Sequence, residues 1–332
     1  MAQSGQVVNP GNAIARHIHK RIEVMSNHRA TYGRLTRAAA LVALALASFT
    51  GVAMAEGGTT DASTSYSYQT LDYPGSSQTI FWGINDFGEL AGQFEINAGT
   101  AHAMAYRHGR FELLDTAVLG TYFSAAGGPN DLGVTFGGYA DATGTQHGFA
   151  LHGHKLETVD FTGHLNSNVD GLNDFGVVLG VYWDADGIFH GIQRVGHWDA
   201  PFDVSGARDT YPLGINDSGE SVGYWDTADG ATHGYYRDAK GKVTTLDVPG
   251  SIATVALGIN DVGQIAGYWF DSVGHIHSFV QSQGKYATFD MPGAANTYAT
   301  AINNFGVVAG EWQDTSGHRH GMVATPRLGH SH

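Results

Sequence analysis

Short apolar and β-branched runs, separated by turn-forming residues, follow one another along most of the chain. Within 253–291 four such runs stand at Thr254–Asn260, Gln264–Trp269, Ile276–Gln281 and Lys285–Met291, bounded by Gly, Asn, Asp and Pro. Runs of this length and composition predict β-strands joined by hairpin turns. No run in this region carries apolar residues at helical spacing over a comparable length.

This four-strand unit recurs along the chain, and each copy carries a Gly-Ile-Asn-Asp-x-Gly turn or a close variant of it. The key Asn is found at Asn85, Asn130, Asn173, Asn216, Asn260 and Asn303, which defines repeats 1 to 6. Successive steps are 45, 43, 43, 44 and 43 residues. A constant period of this kind is the sequence mark of a repeat architecture.

Other residues keep a fixed distance from the key Asn. Gly lies seven and fourteen residues after it in every copy. An aromatic residue lies nine later, at Phe94, Tyr139, Tyr182, Trp225, Trp269 and Trp312. A His lies seventeen later, at His102, His147, His190, His233, His277 and His320. An Asp precedes the Asn by 13 or 15 residues, at Asp72, Asp115, Asp160, Asp203, Asp247 and Asp290.

Four antiparallel strands per repeat of this length predict the blades of a β-propeller, ahead of a parallel β-helix, which needs shorter coils. The repeat region opens on a lone strand, Tyr68–Tyr73, and closes after a third strand, Gly321–Thr325. The lone strand should therefore complete the last blade and pair the open sheet edges. We predict an all-β, six-bladed propeller of four-stranded antiparallel blades over 67–326, closed by its N-terminal strand.

The first 55 residues differ from the rest. They contain six of the 17 basic residues and one acid, followed by an apolar stretch from Ala38 to Ala55 that ends Ala-Met-Ala. A basic region, an apolar region and an A-x-A site predict a secretory signal peptide, with an uncleaved membrane anchor as the alternative. We expect 1–55 to be removed, 56–66 to be a flexible linker, 327–332 to be a disordered tail, and the protein to be secreted or periplasmic.

Composition and net charge exclude some kinds of site and partner for this protein. The chain has no Cys, which excludes disulfides and Cys-ligated metal sites. Its net charge is −14, and removal of 1–55 leaves 11 basic and 30 acidic residues, or −19. This balance argues against nucleic-acid partners, and against membrane partners once the leader is cleaved. We expect a monomer.

A family resemblance supports the predicted compartment. The third-strand motif His147-Gly148-Phe149, its variant His277-Ser278-Phe279 and the Asn-Asp-x-Gly turn resemble the extracellular HAF-repeat family of bacterial secreted proteins. The resemblance covers about 67–325 of this chain. It implies a secreted bacterial repeat protein, and it carries no established reaction and no set of catalytic residues.

The repeated His and Asp are predicted to be structural. The His begins the third strand and the Asp lies near the end of the fourth, so antiparallel pairing brings them together. The expected pairs are His102–Asp115, His147–Asp160, His190–Asp203, His233–Asp247, His277–Asp290 and, through ring closure, His320–Asp72. The repeated aromatic residues should pack between blades, with sugar stacking as the alternative. We predict no metal site and no cofactor; calcium at the Asp-rich turns 184–187 and 226–230 is the alternative, although a full oxygen-ligand loop is absent there.

The loops between the fourth and first strands differ most between copies and are the predicted ligand-binding positions. Their aromatic and planar polar side chains suit hydroxyl-rich ligands, and the candidates are Tyr122, His164, Asn166, Arg208, Asp209, Tyr211, Asn296 and Tyr298. We therefore predict a binding module for carbohydrate or a cell-surface partner. One alternative is a propeller hydrolase or lyase at the channel mouth using His164, Arg208, Asp209 and Tyr211, and another is a structural surface protein. Whether the protein is an enzyme stays open.

Overall fold

The computed structural model describes residues 65–96, 101–114, 124–164 and 166–327, and within these ranges it contains 24 β-strands and no helix. The predicted signal peptide lies outside the described residues, as do most of the predicted linker and tail. No helix able to cross a membrane is present in the described part of the chain.

The strands follow the repeats. Repeat 1 contains β2 (Gln78–Ile84), β3 (Leu90–Glu95), β4 (Ala101–Arg107) and β5 (Arg110–Leu113). Repeat 2 contains β6 (Ser124–Pro129), β7 (Val134–Ala140), β8 (Gln146–His152) and β9 (Lys155–Thr158). Repeat 3 contains β10 (Ser167–Leu172), β11 (Val178–Trp183), β12 (Phe189–Val195) and β13 (Trp198–Phe202).

The second half repeats this order. Repeat 4 contains β14 (Asp209–Ile215), β15 (Ser221–Asp226), β16 (Thr232–Arg237) and β17 (Val243–Leu246). Repeat 5 contains β18 (Ala253–Ile259), β19 (Ile265–Phe270), β20 (Ile276–Ser282) and β21 (Lys285–Phe289). Repeat 6 contains β22 (Asn296–Ile302), β23 (Val308–Gln313) and β24 (Arg319–Pro326), and β1 (Tyr66–Thr70) precedes repeat 1.

Consecutive strands within each repeat pair antiparallel, and two of the repeated glycines show why the unit is constant. Gly263 has φ +77°, which the tight Asn-Asp-x-Gly turn requires and L side chains rarely adopt. Gly267 lies so close to β18 that a Cβ would collide with the carbonyl oxygen of Val255. The turn glycine therefore serves conformation, whereas the strand glycine serves close packing of the first two strands.

The number of separate blades differs from the prediction. Repeats 2, 3, 4 and 5 each form a separate four-stranded sheet, which confirms the blade type, but there are four such sheets and not six. The other eight described strands form one sheet, in the order β22-β23-β24-β2-β3-β4-β5 with β1 on β24. The reason is a single parallel backbone pair, Gln78 with Arg319, which joins repeat 1 to repeat 6.

The first described strand lies beside the last. β1 pairs antiparallel with β24, from Tyr66 opposite Pro326 to Thr70 opposite Met322. The ends of the repeat region are thus held by backbone hydrogen bonds, and neither β1 nor the outer edge of β24 is left unpaired.

The apolar core lies between adjacent sheets. Phe279 of β20 is fully buried in a cluster with Val222 and Leu246 of repeat 4. The six first strands also contact one another in the closed order β2, β6, β10, β14, β18 and β22. They surround a central channel lined at equivalent positions by Trp82, Gly127, Asp170, Leu213, Leu257 and Thr300.

Strand direction sorts the connections onto two faces. Because neighbouring strands run antiparallel, the turns between first and second strands share one face, which we call the turn face. The turns between second and third strands, and the loops from each fourth strand to the next first strand, share the opposite face, which we call the loop face. The key Asn residues lie on the turn face, and the repeated His residues begin their strands at the loop face.

Candidate functional site

On the loop face, each described His–Asp pair is in hydrogen-bond contact. The His Nδ1 lies 2.8–3.0 Å from the nearer carboxylate oxygen in His147–Asp160, His190–Asp203, His233–Asp247, His277–Asp290 and His320–Asp72. The last pair spans the two ends of the repeat region. Asp115, the predicted partner of His102, lies outside the described residues. These contacts join the start of each third strand to the segment that follows the fourth.

A second carboxylate approaches the same imidazole from the turn between the second and third strands. His147 Nε2 lies 3.4 Å from Asp141 Oδ2, and the equivalent distances in repeats 3, 5 and 6 are 3.6, 3.6 and 3.7 Å. The side-chain hydrogen bond from Thr143 lowers the pKa of Asp141 to about 2. The hydrogen bond to Asp290 raises the pKa of His277. The His277 imidazole thus lies between two carboxylates, Asp290 and Asp271, that favour its protonated form.

The repeated aromatic ring completes this group of side chains. It lies across from the His on the neighbouring strand, with ring centroids 4.5–5.5 Å apart in all six repeats. Trp269 also packs against the apolar cluster that repeats 4 and 5 share. We call the ring, the His and the Asp that follows the fourth strand the loop-face module.

Three of the predicted ligand-binding residues hold neighbouring repeats together. The Oδ1 atoms of Asn166, Asp209 and Asn296 accept hydrogen bonds from the backbone N–H groups of Gln146, Phe189 and Ile276, at 3.3, 3.0 and 3.0 Å. Each acceptor lies twenty residues after its donor, at the seam between one third strand and the next first strand. Asp209 and Asn296 are also buried. Their described contacts are structural ties between repeats.

The remaining predicted ligand residues are divided between the interior and the loop face. Tyr211 and Tyr298 are buried, and Tyr211 stacks on Tyr224. Arg208 Nη1 donates to Asp209 Oδ2 at 3.0 Å. His164 lies against Tyr182, with ring centroids 3.6 Å apart, and burial lowers its pKa. Tyr122 lies outside the described residues, so the described candidates that are not buried are His164, Asn166 and Arg208.

On the turn face, the key Asn side chains form a ring of hydrogen bonds. Each Nδ2 donates to the backbone carbonyl oxygen of the key Asn in the next repeat, at 2.9–3.4 Å. The last of these bonds runs from Asn303 back to Asn85. The same side chains close their own turns; Asn260 Oδ1, for example, accepts from the Gln264 N–H at 2.8 Å. The turns of all six repeats are therefore linked in a circle.

The next residue of each turn forms a second circle, which is acidic. The backbone N–H of each donates to the side chain of its neighbour at 2.7–3.0 Å, through Asp86, Asp131, Asp174, Asp217, Asp261 and Asn304. Desolvation, with neighbouring carboxylates adding to it, raises the pKa of Asp131 and of Asp217. Asn304 differs, because its Nδ2 donates to both flanking carboxylates. We call this circle the acidic ring.

An apolar crown, which the sequence pattern did not predict, surrounds the acidic ring. The x residue of the Asn-Asp-x-Gly turn is apolar in five repeats, and these side chains are 67–78% exposed: Phe87, Leu132, Phe175, Val262 and Phe305. Large apolar side chains clustered in exposed turns mark a contact surface. The signal was present in the sequence as an apolar residue at a position where turns are usually polar.

Neither set of carboxylates forms a recognisable metal centre. Within the described residues, no group of three or more His, Asp or Glu is arranged to hold a metal ion. The acidic ring uses its oxygen atoms as acceptors for backbone N–H groups, and the loop-face carboxylates are engaged by imidazoles.

The fold defines an all-β propeller with four-stranded antiparallel blades. No protein-family model matches the chain, and no curated protein sequence is similar to it. Among solved structures, the SapL1 lectin in complex with alpha methyl fucoside has a TM-score of 0.50 at 14% identity, covering 76% of this chain and 96% of that one. A triple-mutant AofleA from Arthrobotrys oligospora has a TM-score of 0.51 at 11% identity, covering 81% and 88%. The putative TolB from Agrobacterium tumefaciens has a TM-score of 0.51 at 11% identity, covering 75% and 91%. At these identities the likeness concerns the fold.

Proposed function

We propose that this chain is a non-catalytic carbohydrate-binding propeller that binds glycans on its loop face. The observation that carries the proposal is the loop-face module, in which an aromatic ring, a His and an Asp recur with one geometry. In the five pairs with a described Asp, the Asp side chain is 41–50% exposed. The carboxylates are therefore open to a ligand although each also contacts its His.

The chemistry of the module matches that of a sugar. A carboxylate accepts hydrogen bonds from hydroxyl groups, and a half-buried aromatic ring, as in repeats 3 to 6, offers apolar surface to the C–H groups of a pyranose. Phe94 and Tyr139, in repeats 1 and 2, are buried. Trp225, Trp269 and Trp312 supply the largest of these rings. Several equivalent modules on one face would give weak individual sites a high combined avidity. His164, which lies against Tyr182, would add a further polar edge in repeat 3.

The same proposal includes a closed six-repeat ring. The eight-stranded sheet would act as two blades, β2–β5 and β22–β24 with β1, joined by one parallel backbone pair. The closed contact order of the first strands and the two circles of turn-face hydrogen bonds support this arrangement. A closed ring would space the modules regularly around the loop face.

The proposed setting is the cell exterior or periplasm of a bacterium, with residues 1–55 as a cleaved leader. The support is the sequence pattern of that segment and the resemblance to the HAF-repeat family. Glycans of the cell surface or of the surroundings would then be accessible to the loop face.

A glycan array probed with labelled protein tests the function, followed by titration calorimetry with the best ligand. The double variant D203N/D290N keeps side-chain shape in two modules but removes two carboxylate charges. We expect it to lower array avidity by about tenfold or more, as loss of two sites from a multivalent set should. Trp198→Ala is the matched control, because Trp198 is 80% exposed and belongs to no module.

Two results would overturn the proposal. One is wild-type protein that binds no glycan on the array. The other is glycan binding that D203N/D290N leaves unchanged while Trp198→Ala reduces it, which would move the site to the outer edge of repeat 3.

A further inference from the structure

The central channel contains a cavity of about 90 Å³ beyond the turn-face mouth. Repeat 2 contributes two glycines to its wall where other repeats have larger side chains, and Phe136 and Asn168 pack against these glycines. At one position Gly127 stands where the other repeats have Trp82, Asp170, Leu213, Leu257 and Thr300. At a second position Gly138 stands where they have Gln93, Val181, Tyr224, Tyr268 and Glu311. The wall therefore differs between repeats, with two glycines from repeat 2 and a carboxylate from repeat 3.

Asp170 places an uncompensated carboxylate in the wall of this cavity. Its Oδ2 is shielded from solvent and has no hydrogen-bond partner. The backbone N–H of Val181 donates to the carboxylate, and burial raises the pKa of Asp170 to about 7. Within the described residues, no Lys, Arg or His forms an ion pair with it. A carboxylate with a shielded oxygen and no positive partner is costly in its charged form, so either protonation or a bound cation would stabilise it.

The neighbouring groups favour a cation. Asn168 also lines the cavity, and its Oδ1 has no hydrogen-bond partner. Trp82 lines it as well, and the indole Nε1 donates to Gln93 Oε1 at 3.3 Å. Neither the mouth nor the cavity is lined by a described Lys, Arg or His. The wall therefore offers negative charge, carbonyl oxygen and an aromatic ring.

The acidic ring lies at the entrance to the same channel. Residues of the ring line the mouth, and Asp170 lines both the mouth and the cavity. Five carboxylates around a narrow opening raise the local concentration of cations by their summed field. The path from the turn face to Asp170 is thus electrostatically favourable for a positive ligand.

We propose that the channel cavity binds a small organic ammonium ion, with Asp170 as its counter-ion and Trp82 as its aromatic contact. An ammonium group gains from both a carboxylate and an indole ring. A metal ion would instead need several oxygen ligands around it, and an indole supplies none. Since water occupies about 30 Å³ in the liquid, the cavity limits the ligand to a few non-hydrogen atoms. This site is independent of the glycan-binding proposal, because it lies in the channel and uses no loop-face module.

Methylammonium chloride is the probe, titrated by calorimetry into the full chain, with sodium chloride at matched ionic strength, calcium chloride and tetraethylammonium chloride in parallel. We expect saturable methylammonium binding that exceeds sodium binding, and no binding of the bulky tetraethylammonium. The isosteric variant Asp170→Asn should weaken methylammonium binding by about tenfold or more, as expected for loss of a buried charge partner. Trp82→Leu should weaken it several-fold, and Trp82→Phe should retain most of the affinity.

Asp217→Asn is the matched control in the acidic ring, since Asn304 shows that an amide fits there. It should weaken binding much less than Asp170→Asn. The proposal is wrong if methylammonium binds no better than sodium, if Asp170→Asn binds as well as wild type, or if Asp217→Asn costs as much as Asp170→Asn. Calcium binding that depends on Asp170 without methylammonium binding would also overturn it. Because Asp170→Asn removes a buried charge, its melting temperature should equal or exceed that of wild type, so a folding defect can be recognised.

Discussion

Replacing Asn304 with Asp tests whether the acidic ring depends on its one amide. Asn304 Nδ2 donates to Asp86 Oδ2 at 3.0 Å and to Asp261 Oδ2 at 2.8 Å. The substitution N304D keeps the shape of the side chain and the Oδ1 acceptor that receives the Asp261 N–H. It removes both donors and adds a sixth carboxylate between two others. The change therefore isolates charge and hydrogen bonding from packing.

The expected magnitude follows from these two bonds. A hydrogen bond to a charged group contributes about 1.5 to 3 kcal/mol. Because Asp261 is exposed, solvent screening reduces the sum, and we expect the free energy of unfolding to fall by about 2 to 4 kcal/mol at neutral pH. Salt should remove the part of this loss in unfolding free energy that comes from repulsion among the three carboxylates. The screening length falls from about 10 Å at 0.1 M to about 3 Å at 1 M.

The sign of the pH dependence is also fixed. Negatively charged neighbours raise the pKa of a carboxyl group, so the introduced group should have a higher pKa in the folded state than in the unfolded state. Such a group destabilises the fold above its folded pKa, and the effect is lost as pH falls through that value. The deficit of N304D should therefore shrink on acidification, because the protonated carboxyl can donate again.

Urea unfolding followed by circular dichroism, at neutral and acidic pH and in low and high salt, measures these effects. Asp217→Asn is the control with the opposite change in charge, and it should leave stability unchanged or raise it at neutral pH. A deficit for N304D below about 0.5 kcal/mol, the usual scatter of surface substitutions, would refute the reasoning. A large deficit that is insensitive to both salt and pH would refute the electrostatic part alone.

Three further predictions concern the ring, the loop face and a buried pair. Asn260→Ala removes a donor to the next turn and an acceptor within its own, and should lower the free energy of unfolding by about 2 to 3 kcal/mol in urea. The Asp290 hydrogen bond raises the pKa of His277 above its ordinary 6.5. The stability that this pair contributes is therefore fully present below pH 6.5 and is lost as pH rises through the raised pKa of His277. His277→Gln should flatten this part of a profile of melting temperature against pH. Burial raises the pKa of Glu311 from 4.5 to about 7 despite Arg319, so the folded state binds more protons and wild-type stability should fall as pH rises across that interval. Glu311→Gln should reduce the fall and leave the part due to Asp170, whose pKa burial also raises to about 7, and a flat wild-type profile would contradict the assignment.

The regular part of the structure was predictable because it depends on contacts within a repeat. Observed strand limits in repeat 5 differ from the predicted ones by at most two residues; the first strand is Ala253–Ile259 where Thr254–Asn260 was predicted. The contact between His277 and Asp290 follows from antiparallel neighbours whose ends coincide. Local pairing of this kind needs only strand order and approximate length.

Contacts between repeats were not predictable in the same way. Asp209 and Asn296 were selected because their loops vary, yet both accept backbone N–H groups at a seam twenty residues away. The position requires an acceptor, which Asn or Asp supplies, so variation in residue type conceals a constant role. The number of separate sheets also depended on such a contact, since one backbone pair between Gln78 and Arg319 merges repeats 1 and 6.

Residues that depart from the repeat pattern therefore have different roles, which depend on the groups they contact. Asn304 replaces Asp and at first suggests a tolerant turn, but in the ring it donates to carboxylates on both sides and balances their repulsion. Gly127 and Asp170 also differ from their equivalents; Gly127 lies against the Phe136 ring, and Asp170 lines the cavity with a carboxylate oxygen that has no hydrogen-bond partner. Substitutions at the first kind of position should change stability and leave binding intact. Asp170→Asn should instead weaken cation binding, while its melting temperature should equal or exceed that of wild type.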